Sequence, residues 1–310
     1  MEKIALAAVA SMLGLSAFAQ SSVTLYGRVN TTFENQKDGT AGRVNALNNN
    51  ASRWGVRVNE DLGGGLFAKA VLEAGFSADT GMSDSTAYFG RQSSVEVGSA
   101  SMGSVRMGNW LPGSYLATAD YISMHNHDTG RSSDALYAFG AAFPRNNKIG
   151  YFTPNWGGFS GEASVSLGEG KAANARDLSA NYVSGPVHLG AGYSAQGGGS
   201  QAAVRGLYFM GPVALGAYLQ RESIDGSAFG KTRNIGRLSA MYGAGASEFH
   251  VNGGTTQKGG TQGDKASQWT LGYNYNLSKR TKVYTYYTAV KGQSDATSSN
   301  SFAVGVRHNF

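Results

Sequence analysis

The sequence predicts an all-β fold: a transmembrane, up-and-down barrel of sixteen antiparallel strands with its long third loop folded inward. Three observations carry this expectation. Apolar and polar residues alternate with period two along most of the chain, tight turns alternate with longer polar connections, and an export leader opens the sequence.

The leader comes first. Met1-Glu2-Lys3 brings a positive charge to an apolar run from Ile4 to Phe18, which closes in Ala17-Phe18-Ala19. That order of charged, apolar and small residues is a secretory signal, and the run is too short to span a bilayer. The expected division is a signal peptide over residues 1–19, cleaved before Gln20, and one barrel domain over 20–310.

The alternation follows. In the first run Val23, Leu25, Val29 and Phe33 share one face, and Thr24, Tyr26, Arg28, Asn30, Thr32 and Glu34 share the other. One face suits hydrocarbon and the other water, as a barrel wall requires. The next runs set Trp54, Val56 and Val58 against Arg53, Arg57 and Asn59, then Leu66, Ala68, Ala70 and Leu72 against Lys69 and Glu73. The last sets Phe302, Val304, Val306 and Phe310 against Arg307 and Asn309. Strands are expected near 22–34, 51–60, 65–77, 86–98, 104–110, 146–153, 159–169, 176–184, 187–196, 200–209, 213–222, 232–243, 246–256, 266–276, 281–291 and 301–310. Their number is even, as single-chain bacterial barrels require.

The connections complete the pattern. Short turns at 61–64, 154–158, 184–186, 210–212 and 276–280 alternate with longer polar stretches at 35–50, 77–86, 223–232, 255–267 and 291–300. One connection, about 110–145, is far longer than the rest, and an unstructured loop of that size is ordinarily functional. Sixteen strands enclose a channel too wide for side chains to fill, so this loop is expected to fold into the lumen and narrow it.

Composition agrees. Glycine is abundant at 45 residues, proline scarce at 5, and the 16 tyrosines outnumber phenylalanine and tryptophan, a mixture suited to strands and tight turns. Cysteine is absent, so nothing is stapled covalently. Mean hydropathy is −0.27 and no later stretch is apolar enough for a spanning helix, which leaves any membrane crossing to strands. The net charge of +6 is spread along strands instead of being gathered in a tail or helix face, which with the leader argues against nucleic acid as a partner.

Arg53 and Arg57 oppose Trp54, Val56 and Val58, so the alternation itself turns both guanidiniums to water, and both are expected at the pore constriction. A lipid-facing arginine near the bilayer centre costs about 2–4 kcal/mol. Arg28, Lys69, Arg106 and Lys148 also fall on polar faces and are read as pore-wall cations. Arg91 shares the parity of Val95 and Val97, and Arg145 that of Ile149, so for these two an inward position requires a bulge or a later strand start. His125 and His127, beside Asp128, form a short H-x-H cluster, but it lacks further ligands and no metal is expected. No nucleophile elbow, zincin motif, phosphate loop or dinucleotide fingerprint occurs, so neither an enzyme nor a cofactor is expected.

A set of ordered motifs then resembles the trimeric general porins of Gram-negative outer membranes, most closely the beta-proteobacterial type. The motifs are Ser21-Ser22-Val23-Thr24-Leu25-Tyr26-Gly27, Ser52-Arg53-Trp54-Gly55, Glu60-Asp61-Leu62-Gly63-Gly64-Gly65-Leu66 and Phe89-Gly90-Arg91-Gln92. They continue with Tyr151-Phe152-Thr153-Pro154, Asn276-Leu277-Ser278-Lys279-Arg280-Thr281 and the closing Val304-Gly305-Val306-Arg307-His308-Asn309-Phe310. The resemblance implies a homotrimer in the outer membrane, contacts with membrane lipid and lipopolysaccharide, passage of small hydrophilic solutes and ions, and an insertion signal at Phe310. It also implies an eyelet where wall arginines, here Arg53, Arg91 and Arg145, face polar groups of the loop. The chain departs from the pattern after Val105-Arg106-Met107-Gly108, where relatives commonly continue with arginine and this sequence has Asn109. The loop acids Asp120, Asp128 and Asp134 are candidates by location alone. Arginines clustered at a narrow, low-dielectric point concentrate anions, so anion preference is expected. The runner-up expectation is an outer-membrane channel selective for one class of substrate.

Overall fold

The computed structural model describes residues 21–84, 87–122, 130–132, 136, 143–223, 232–257 and 265–310; the leader over 1–19 lies outside them. Seventeen strand segments form one closed antiparallel sheet. They are β1 (Ser22–Asp38), β2 (Val44–Asn49), β3 (Arg53–Gly63), β4 (Leu66–Gly75), β5 (Gln92–Ser99), β6 (Gly103–Asn109), β7 (Lys148–Phe152), β8 (Phe159–Ser166) and β9 (Ala175–Ser184). The rest are β10 (Val187–Gln196), β11 (Gly199–Met210), β12 (Val213–Ser223), β13 (Thr232–Ala244), β14 (Ser247–Thr256), β15 (Ala266–Asn276), β16 (Thr281–Lys291) and β17 (Ser299–Asn309).

Successive strands pair with one another, except β2 and β3, and β1 closes the ring against β17 with Arg28 opposite Asn309 and Asp38 opposite Ser299. β1 also pairs with β2 through Thr31–Gln36 and with β3 through Ser22–Arg28, so β2 and β3 are two halves of one stave and the barrel has sixteen. The stave breaks at Asn50–Ser52, where Ala51 takes φ 54, a left-handed conformation that costs a non-glycine residue about 1–2 kcal/mol. Asn30 and Ser52 bridge the break: the Ser52 hydroxyl accepts the Asn30 N–H at 3.0 Å and donates to its carbonyl at 3.2 Å.

The alternation survives folding. Leu25 and Phe33 are 62% and 57% exposed on the outer face, whereas Asn30, Thr32 and Glu34, one step out of phase, are buried within the barrel. Water-side groups are thereby screened from hydrocarbon, and a closed ladder leaves no backbone edge unpaired.

Two sequence expectations are corrected. The polar stretch 35–50 is not a long loop: β1 runs on to Asp38 and β2 fills Val44–Asn49, leaving a turn of 39–43. Asn35 faces Asn45 and Gln36 faces Val44 there. Backbone pairing sustains these strands without an apolar face, and so without the signal that would have shown them. The strand expected from 86 begins at Gln92, because Arg91 turns its side chain out of phase to meet Glu73.

Candidate functional site

The connection after β6 begins inside the barrel. A turn of helix at Gly113–Leu116 and another at Ala119–Ile122 follow Trp110, and a 3₁₀ turn lies at Gly130–Ser132. The wall accommodates the first turn with glycine: a Cβ on Gly192 would lie 2.6 Å from Ser114 Cα, and one on Gly190 would strike the Ala117 carbonyl. Both glycines face inward, opposite Ala203 and Arg205 of β11.

Buried polar groups fasten these segments. Asp177 of β9 accepts the Gly113 N–H at 2.6 Å and also the Ser114 hydroxyl. The Trp110 indole donates to Glu162 of β8 at 2.9 Å, Arg205 donates to the Ala117 carbonyl at 2.8 Å, and the Ser239 hydroxyl donates to the Ile122 carbonyl at 3.1 Å. Farther along, the Arg131 N–H donates to the Tyr286 hydroxyl at 2.9 Å, and its guanidinium pairs with Asp38. Tyr286 in turn donates to the buried Glu34 at 2.7 Å. Tyr115, Ala119, Ile122 and Leu136 form an apolar cluster with Tyr218 and Ile235 of the wall.

Between this segment and strands β3 to β6 lies a cavity of about 730 Å³. Its lining combines Arg53, Arg91, Arg106, Arg145, Glu73 and Gln92, with Ala51 at the stave break, and Trp110, Leu111, Tyr115, Leu116, Asp120 and Phe143 of the connection after β6. The three arginines carried over from the motifs are therefore gathered with Arg106 in one space. Among the described residues, four guanidiniums meet two carboxylates there, Glu73 and Asp120.

Each cation is held differently. Arg53 faces inward by register, directly opposite Arg28 of β1. Arg91 escapes its unfavourable parity by preceding β5, and its Nε donates to Glu73 Oε1 at 2.7 Å while Tyr26 donates to Oε2 at 2.9 Å. Arg145 lies ahead of β7 and donates through Nη2 to the backbone carbonyls of Gly90 at 2.5 Å and Arg91 at 3.1 Å. Burial, and secondarily the charge of Arg91, lower its pKa from the ordinary arginine value. Arg106 pairs with Glu96 at 2.5 Å and stacks 4.1 Å from the Phe152 ring centroid.

The remaining wall cations are not equivalent. Arg57, expected at the constriction, faces inward but outside this cavity, with its guanidinium 4.8 Å from the Tyr26 ring. Arg28 Nε donates to Asn309 Oδ1 at 3.3 Å, and Lys69 lies 3.8 Å from Glu96. Lys148 points inward as alternation predicts, yet its side chain is fully enclosed, 3.4 Å from Glu162 and 3.9 Å from Asp177, so it holds the loop root instead of facing water. Phe310 closes the sheet, exchanging backbone hydrogen bonds of 3.0 and 3.1 Å with Gly27.

Asp128, Asp134, His125 and His127 lie outside the described residues, and among the described residues no group of three or more potential metal ligands occurs. Sequence reasoning missed Glu162 and Asp177, which anchor the loop, and Glu96, which pairs with Arg106 and Lys69 on the wall. Each is a carboxylate in phase with the inward face of its strand, a signal that parity offers but that only the contacts in the folded chain explain.

A closed sixteen-stave barrel with an apolar exterior, a polar interior and a loop segment held against its inner wall defines an outer-membrane channel. The model of the Gram-negative porin family matches residues 5–308, and the chain belongs to that family. It is 31% identical to outer membrane porin protein 32 of Delftia acidovorans over 346 residues, covering 95% of this chain and 96% of that protein. It is 28% identical to an outer membrane porin protein of Bordetella pertussis over 391 residues, covering 99% of each. Among solved structures it resembles an anion-selective porin from Comamonas acidovorans, with a TM-score of 0.79 and 27% identity over 94% of this chain and all of that one. The protein is a porin of the Gram-negative outer membrane, a passive channel and not an enzyme.

Proposed function

We propose that this porin passes small hydrophilic solutes and ions with a preference for anions, and that its constriction is the cavity between the arginine wall and the loop. One observation carries the reading: among the described residues Arg53, Arg91, Arg106 and Arg145 line that cavity with two carboxylates, Glu73 and Asp120, while Glu96 pairs with Arg106 from outside the lining. An excess of fixed positive charge in a narrow space bounded by low-dielectric walls raises local anion concentration and repels cations, with no bond-making required. Arg28, Arg57 and Lys69 add to the field along the wall. The anion selectivity of the Comamonas acidovorans porin supports the same reading.

The assembly is read as a homotrimer embedded in outer-membrane lipid and lipopolysaccharide, with Phe310 as the insertion signal. Support comes from the exposed apolar belt and from the place of Phe310 at the closing seam. The reversal potential of the reconstituted protein across a potassium chloride gradient tests the preference. Anion preference gives a potential of the chloride sign, and one of the potassium sign defeats the proposal.

A further inference from the structure

The lumen is polar almost everywhere. Inward positions carry Asn30, Thr32, Gln201, Gln220, Asn252 and Thr270, all buried. The cavity departs from this pattern. Together with its arginines, the lining holds Leu111, Leu116 and Phe143 beside Tyr115. Leu116 is 40% exposed, although the neighbouring Tyr115, Ala119 and Ile122 are all buried against the wall cluster. Lipid accounts for exposed leucines outside the barrel, but this one belongs to a segment tied to the inner wall. Leu111 and Phe143 are only partly buried and flank the same space.

From this sharing of one cavity by guanidinium and apolar side chains we infer that the passage selects anions with an apolar body, namely aryl- and alkylcarboxylates, over hydrophilic anions of equal charge and size. The inference rests on the anion preference proposed above. A carboxylate accepts paired N–H donors from a guanidinium, a charge-assisted contact with defined geometry. The hydrocarbon end of the same molecule then leaves water against Leu111, Leu116 and Phe143, a gain proportional to the apolar area covered. Phe143 also offers an aromatic face, already in edge contact with Tyr115 at 5.4 Å between centroids. A polyhydroxylated carboxylate meets the same arginines but keeps its hydroxyls hydrated, so it gains only the electrostatic part. The volume of about 730 Å³ holds an arylcarboxylate together with water, as a passage requires.

The test compares benzoate with gluconate, each opposed to chloride across bilayers holding the reconstituted protein. The benzoate-to-gluconate permeability ratio should exceed the ratio of their free mobilities by roughly 5- to 10-fold, the size expected for partly burying a phenyl ring. Leu116→Ser should bring the ratio most of the way back to the mobility value. A wild-type ratio equal to the mobility ratio overturns the inference whether or not the variant folds, and so does an unchanged ratio in a folded Leu116→Ser channel. Failure of the anion reading registers separately, as a potassium-sign potential in plain potassium chloride.

Discussion

Asp177 Oδ2 accepts the backbone N–H of Gly113 at 2.6 Å, and 3.9 Å away the same oxygen meets Lys148 Nζ. One buried carboxylate thus joins wall strand β9, strand β7 and the first residue of the loop's first helical turn. Its replacement is informative because charge, loop and wall all depend on it.

Asp177→Asn leaves Lys148 with Glu162 as its remaining acidic partner and weakens the hold on Gly113 and Ser114. Removing one member of a buried ion pair commonly costs about 3–5 kcal/mol. The backbone ladder is untouched, so the barrel should still form, seen as retained β-sheet circular dichroism in detergent. Thermal unfolding should come earlier, and single-channel current should become noisier as the loop root moves.

Gly192 tests the loop's seat directly. Valine there places branched carbons where Ser114 Cα would stand 2.6 Å from a Cβ, and the contact is with backbone that cannot rotate aside. Gly192→Val should displace the helical turn from β10, raise single-channel conductance and reduce charge selectivity together. An unaltered conductance in a folded variant would show that the turn does not narrow the channel.

Arg53 and Arg57 share a strand face but lie four residues apart, roughly 13 Å along the strand, which exceeds the Debye length of about 8 Å at physiological salt. Only Arg53 lines the cavity. Arg53→Gln should therefore shift the reversal potential toward potassium by clearly more than Arg57→Gln does, and the gap should narrow in dilute salt where screening weakens.

Glu73 works against the cluster. It accepts from Arg91 at 2.7 Å and from Tyr26 at 2.9 Å, and its charge offsets one guanidinium of the four. Glu73→Gln keeps the shape and removes the charge, so anion preference should rise and chloride conductance at low salt should increase. Equal selectivity in variant and wild type would mean that the Arg91–Glu73 pair lies outside the ion path.

Much of this protein is legible as sequence. The facing of Val23, Leu25 and Phe33 against Asn30, Thr32 and Glu34 follows from period-two geometry, and the same parity turns Arg53 and Arg57 inward. Parity is local, because each residue's face is set by its immediate neighbours once one side of the wall is hydrocarbon. It fails where the chain leaves regular pairing. Val44–Asn49 reads as loop because polar residues occupy both faces, and Arg91 reads as outward because nothing near it in sequence announces that Glu73 waits on the adjacent strand.

What the sequence determined by itself was the barrel, its sixteen staves and the side of the wall on which each strand residue lies, since hydrocarbon and water sort side chains two by two. Only the tertiary structure decided which charges share a space. Arg53, Arg91, Arg106 and Arg145 are scattered over some ninety residues and meet in one cavity, while Lys148, of equal charge and correct parity, is sealed between Glu162 and Asp177. Electrostatic effect depends on distance and solvent in three dimensions, and a list of facings contains neither.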